Sequence, residues 1–104
     1  MSGPAVLTRK ARAELRDAIR WIGADSLASA RGLNDAVEVA ARRIGINPAI
    51  GVRRLELAPE RYRFWSIQRY PYILVYTGDT DPPRIVRIVH MARDITKLLT
   101  KLGF

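Results

Sequence analysis

Of the side chains that commonly exchange protons near neutral pH, the sequence offers one, the single histidine at position 90. His90 is therefore the candidate for acid–base chemistry. Cleaving RNA through its own 2′-hydroxyl would need a base, an acid for the leaving oxygen and cations around the phosphate, all converging on one spot. Arg63, Arg87 and Arg93 could supply the cations, and Glu56 and Glu60 are possible bases. Simpler roles compete with each: a lone histidine at a strand end is more often structural, and glutamates beside a basic strand are usually partners in surface charge pairs. With no cysteine and one histidine, disulfides are excluded and no His/Cys cluster remains to hold zinc, so neither a metal nor another cofactor is expected.

The charge balance names a class of partner. Eighteen Lys and Arg against ten Asp and Glu give the 104-residue chain a formal net charge of +8. Arg53, Arg54, Arg61, Arg63, Arg69, Arg84 and Arg87 are concentrated in the second half, where strand alternation would set several on one face. Such a face suits nucleic acid, a nucleic-acid enzyme or an acidic inhibitor. It could equally be a solvated surface that an inhibitor's acids cover. Hydrophobic residues at 48% and charged residues at 27% are ordinary for a globular protein. One domain over residues 1–104 is expected. The N-terminal MSGPAVLTRKARAEL lacks a long apolar stretch, and the longest apolar runs fall short of a membrane span, so a cytoplasmic protein without a membrane partner is expected.

Periodicity supplies the elements that must position these groups. Ala5 to Leu7 reads as a short strand, and Thr8 as the N-cap of a helix from Arg9 to about Ala24. Its apolar stripe is Ala11, Leu15, Ala18, Ile19 and Ile22, with Arg9, Arg12, Arg16 and Arg20 on the other side. Ser26 caps a second helix striped by Leu27, Ala30, Leu33, Val37, Ala40, Ala41 and Ile44, and the short connection makes the pair antiparallel. Past a loop marked by Asn47, Pro48 and Gly51, four strands are predicted at Val52 to Leu57, Tyr62 to Gln68, Tyr72 to Thr77 and Arg84 to His90. The third is apolar on both faces, as a central strand would be. One sheet face should cover the helices, leaving the other partly open and basic. Trp65 reads as core, whereas Trp21 lies nearer to open surface. Asp94 is placed to cap a last short helix, Ile95 to Leu102. The fold class is thus α+β: an N-terminal strand, an antiparallel helical hairpin on a mainly antiparallel sheet, and a short C-terminal helix.

Three stretches carry a family likeness: Asn47-Pro48 with Gly51-Val52-Arg53-Arg54-Leu55, then Arg69-Tyr70-Pro71-Tyr72-Ile73-Leu74-Val75-Tyr76, then Ile88-Val89-His90-Met91-Ala92-Arg93-Asp94. In this order and spacing the chain resembles the ParE branch of the ParE/RelE toxin superfamily, from Leu7 to about Leu99. The resemblance implies a RelE/ParE-like fold and a hetero-oligomeric complex with a cognate, ParD-like antitoxin whose C-terminal segment wraps the toxin. ParE-like members are associated with inhibition of DNA gyrase, and RelE-like members cleave messenger RNA in the ribosome. In the ribonuclease branch the strand before the Val-Tyr pair commonly carries an arginine; the matching place here is Ile73, which counts against RNA cleavage. The expectation is therefore a gyrase inhibitor with no catalytic residue. Its basic face for target or antitoxin would be Arg53, Arg54, Arg63, Arg69, Arg87 and Arg93, with Trp21, Leu33 and Val37 as apolar antitoxin contacts. Two alternatives stand beside it. One is a RelE-like ribosome-dependent ribonuclease using His90 with Arg63, Arg87 or Arg93; the other is a non-toxic binding module with the toxin fold. The tail from Arg93 to Phe104 is a further candidate for target binding.

Overall fold

The computed structural model describes residues 3–94, so the expected helix over Ile95 to Leu102 and the rest of the tail lie outside the described residues. The elements in chain order are β1 (Val6–Leu7), α1 (Arg9–Gly23), α2 (Leu27–Ile46), β2 (Tyr62–Ser66), β3 (Tyr72–Thr77) and β4 (Arg84–His90). They form a four-stranded sheet in the order β1-β4-β3-β2. β1 runs parallel to β4, and the other neighbours are antiparallel. None of the described helices is long and apolar enough to cross a membrane.

Both helices start where the sequence places a hydroxyl. Thr8 Oγ1 accepts the Ala11 N–H at 3.2 Å, and Ser26 Oγ accepts the Ser29 N–H at 3.1 Å. Each bond satisfies an amide that the first helical turn leaves unpaired, a contribution of about 1 kcal/mol per cap. The hairpin then packs on one sheet face. Leu33, Val37 and Ile44 of α2 meet Leu74 and Tyr76 of β3 and Ile85 and Ile88 of β4 in the main core. α1 buries only Ala11 and Ala18 completely, and these small side chains let its backbone approach the sheet closely.

The opposite sheet face differs from the open, basic surface expected of it. It carries a second apolar cluster of Leu57, Ala58, Tyr62, Phe64, Ile73, Val75 and Val89. The predicted strand Val52 to Leu57 is likewise corrected: Val52 makes one antiparallel bridge with Phe64, and the chain then turns. The N–H groups of Leu57 and Ala58 both bond the Arg54 carbonyl, at 2.8 and 3.0 Å, which rolls these two apolar residues under the sheet. Burial of a β3 strand that is apolar on both sides requires a lid on the second face, and this turn supplies it.

The loop between α2 and the sheet is fixed from inside. Tyr76, fully buried, donates its hydroxyl to the Pro48 carbonyl at 2.7 Å and accepts the Gly51 N–H at 2.8 Å. A Cβ on Gly51 would lie 2.7 Å from the Tyr76 ring and 3.0 Å from the Phe64 carbonyl, so this position has room only for glycine. At the β2–β3 turn, Arg69 takes a left-handed backbone with φ 73°, a conformation costly for any residue with a Cβ.

Candidate functional site

The arginines fall into two sets that differ in what they are bonded to. The first runs along β4 to its end: at mid-strand, Arg87 is clamped by Glu14 of α1, with Nη2 to Oε2 at 2.9 Å and Nε reaching Oε2 at 3.0 Å and Oε1 at 3.2 Å. The pair is mostly buried, at 16% and 21% side-chain exposure. Its geometry depends on a bulge, because β3 pairs Val75 with Arg87 but Tyr76 with Ile85, leaving Val86 as an extra residue. A bulge re-aims the side chains beside it. Here Val86 packs against the second cluster and Arg87 meets α1.

Glu14 does a second job. Its Oε1 accepts the outward N–H of Ile88 at 2.9 Å, while Asp94 Oδ2 accepts the N–H of His90 at 3.2 Å. Arg93 pairs with the same Asp94, Nε to Oδ1 at 3.2 Å, and its guanidinium sits 5.9 Å from the ring centre of Trp21. The hydrogen bonds that Arg93 donates to the Asp94 carboxylate raise its pKa above its already high ordinary value. Trp21 is 69% exposed.

His90 belongs to this end and is occupied there. Its Nδ1 accepts the main-chain N–H groups of Ala92 and Arg93 at 3.2 and 3.1 Å, which caps the turn after β4. Its ring meets Tyr72 edge to face at 5.2 Å. Arg63 lies far from it. Arg63 pairs with Tyr76 and His90 with Tyr72, so they are separated by four residues along β3 and lie on its two opposite neighbours. At about 3.3 Å per residue the offset along the strand alone is roughly 13 Å. The two cannot serve one phosphate.

Arg63 belongs to the second set, which is braced by carbonyls. Its Nη1 donates to the Gly51 carbonyl at 2.9 Å and to the Ala49 carbonyl at 3.4 Å. Arg53 Nε donates to the Glu60 carbonyl at 3.0 Å, and the Arg61 guanidinium lies 5.0 Å from the centre of the Tyr62 ring. These side chains border two adjoining concavities of about 320 and 430 Å³ that share Arg61 and Asp79; Lys10 and Arg84 line the second. Among the described residues none of Lys10, Arg53, Arg61, Arg63 and Arg84 is in an ion pair, and Asp79 is the only carboxylate residue in the lining.

The remaining expected site residues are dispersed. Arg54 is tied to Glu56 at 2.8 Å, and that bond holds the exposed Glu56 carboxylate below its ordinary range. Glu60 contributes its main-chain carbonyl, not its carboxylate, to the arginine set. Leu33 and Val37, expected as antitoxin contacts, are corrected to core: they are 0% and 1% exposed because their helical face is the one that meets the sheet.

Arg69 lies elsewhere, at the mouth of a groove of about 670 Å³ between α2 and the end of β2, with Ala36, Val39, Trp65 and Tyr70 as its apolar lining. Tyr70 crosses the groove end to donate to the Ser29 carbonyl at 2.9 Å, passing so close to Gly32 that any Cβ there would collide with its hydroxyl. Along β2 the outward main-chain groups of Tyr62 and Phe64 are met by Pro59 and Val52. Alternation turns those of Ser66 outward in the same way, beside the groove. This groove was missed in the sequence; Gly32 within a helix and the exposed Val39 were its only signals.

A family model described as the ParE toxin of the type II toxin–antitoxin system parDE matches residues 5–95. Among solved structures, the chromosomal ParDE toxin–antitoxin system from P. aeruginosa is similar, with a TM-score of 0.64 and 24% identity over 85% of this chain and 95% of that one. That likeness is one of fold. No curated protein matches the sequence.

Proposed function

Because the chain belongs to the ParE toxin family of type II toxin–antitoxin systems, we propose that it inhibits DNA gyrase by binding, performs no covalent chemistry itself, and is neutralised by a cognate ParD-like antitoxin. The observation that carries the reading is Ile73. At the place where related ribonucleases set a cation, this chain has an apolar side chain at 5% exposure, packed with Leu57, Ala58 and Val75. A phosphate brought there would be desolvated without a partner, which costs several kcal/mol.

The residues once grouped around His90 support the same conclusion. Arg87 and Arg93 are spent on carboxylates, His90 Nδ1 is spent on a turn, and Arg63 lies at the other end of the sheet. An acid, a base and a free cation do not converge among the described residues. For the antitoxin, the α2–β2 groove offers apolar anchors beside outward main-chain groups, the combination that an extended or helical peptide segment uses. Both proposed partners place the protein in the cytoplasm.

The deciding experiment measures gyrase supercoiling and DNA cleavage with the purified toxin, with and without the product of the adjacent gene, and ribosome-dependent RNA cleavage in parallel. Inhibition of gyrase that this product reverses, retained in His90→Ala, is expected. RNA cleavage that His90→Ala abolishes, with gyrase untouched, would refute the reading.

A further inference from the structure

We propose that the carbonyl-braced arginines form a contact surface for the phosphate backbone of duplex DNA, made by the toxin directly and not only through a protein target. The choice of DNA over other duplexes rests on the gyrase reading; the phosphate contact itself does not.

Three features point to it. First, the charge there is unspent. Arg53, Arg61 and Arg63 are oriented by main-chain carbonyls or a ring, which fix a guanidinium without neutralising it, in contrast to Arg54, Arg87 and Arg93 with their carboxylates. Arg63 uses one nitrogen for both carbonyls, so its Nε and Nη2 edge is left for the two oxygens of a phosphate.

Second, the centre of the surface is preorganised. The carbonyls that brace Arg63 belong to the loop that the buried Tyr76 hydroxyl fixes through Pro48 and Gly51. Arg63 therefore has little side-chain entropy left to lose on binding.

Third, the lining suits a phosphodiester better than a peptide or a single strand. It is made of Lys10, Arg84, Thr80 and Asn47 beside the arginines, with the Glu14-bound Arg87 at its border, and lacks the exposed apolar anchors that peptide interfaces centre on. Its one aromatic ring among the described residues, Tyr62, is buried, so no base could stack on it. Contacts to phosphate alone fix a protein on a duplex without reading sequence. Asp79, exposed in the middle of the surface, opposes the phosphates and should limit affinity.

The test is fluorescence anisotropy of a labelled duplex of about 20 bp with the purified chain, titrated from about 50 to about 200 mM salt. Lys10 and Arg61 are exposed and their side chains make no hydrogen bond among the described residues, so Lys10→Glu/Arg61→Glu should fold normally. This pair should weaken binding more than about 10-fold at low salt and reduce the logarithmic salt slope by about 2, one unit per lost phosphate contact. Arg12→Glu/Arg16→Glu, with the same change of net charge on the outer face of α1, should weaken it less than about 3-fold, and Asp79→Asn should tighten it. Equal losses in the two charge-reversed pairs would reduce the effect to net charge and overturn the proposal. So would unchanged DNA binding accompanied by loss of the antitoxin, which would assign the surface to an acidic peptide. Because gyrase is absent from this titration, its outcome is separate from that of the gyrase assay.

Discussion

Two sets of arginines on one sheet use the same side chain for opposite purposes. Beside α1, Arg87 is bound to Glu14 through three contacts of 3.2 Å or less and is largely withdrawn from water. Around the loop of residues 47–51, the side-chain hydrogen bonds of Arg53 and Arg63 among the described residues all go to carbonyl oxygens. The first arrangement cements a helix to a strand and leaves no charge to offer. The second holds a cation in place and leaves its charge available. Counting arginines on a face therefore overstates its capacity for an acidic partner; what the guanidinium is bonded to decides.

The comparison can be broken most severely at Glu14. Glu14→Ala would strand the Arg87 cation in a mostly buried place and unpair the Ile88 N–H. A loss of about 2–3 kcal/mol is expected, discounted from the fully buried case for the exposure that remains. Denaturant unfolding would measure it, and a loss under about 0.5 kcal/mol, the level of an ordinary surface pair, would erase the distinction between the two sets.

In the second set the support is Tyr76, not a carboxylate. Tyr76→Phe removes the bonds to Pro48 and Gly51 and should cost about 1–2 kcal/mol while loosening the braces of Arg63. The same group gives a pH signature. Burial raises the Tyr76 phenol above its ordinary value of 10.0. A raised folded-state pKa means that its stabilisation is complete below the unfolded value and is lost as pH rises through the folded one. Alkaline unfolding monitored above about pH 10 should therefore include a component that Tyr76→Phe lacks. An unaltered alkaline profile in the variant would remove Tyr76 from the account.

The smallest effect sharpens the contrast by lying outside both sets. Arg69 occupies a left-handed turn and makes no ion pair among the described residues. Arg69→Gly should raise stability by up to about 1 kcal/mol by relieving that conformation. A destabilised variant would mean that the side chain carries a contact of its own.

Much of this architecture was legible beforehand, and the exceptions have a common origin. Thr8 and Ser26 announced their helices because capping is local chemistry, and the doubly apolar Tyr72 to Tyr76 announced a central strand for the same reason. The run from Val52 to Leu57 read as a strand by local propensity, but covering Ile73 and Val75 demanded a turn there, and tertiary burial prevailed. Leu33 and Val37 formed an unmistakable stripe; periodicity could not tell whether the sheet or another protein would cover it. The partition of the arginines was illegible, since Glu14 and Arg87 are 73 residues apart and meet only after the sheet and hairpin have formed.

The carboxylates on the outer side of β4 have a last consequence, for how copies of this protein can meet. Thr8 occupies the Val86 carbonyl, Glu14 the Ile88 N–H and Asp94 the His90 N–H, so these groups cannot pair with an arriving strand. On the far side of β1 the Ala5 N–H is likewise taken, by the Ala41 carbonyl. An arriving strand needs a run of unspent main-chain groups, and the Ser66 flank of β2 turns its own outward beside a groove. Strand-to-strand association of this protein is thereby steered to the β2 edge.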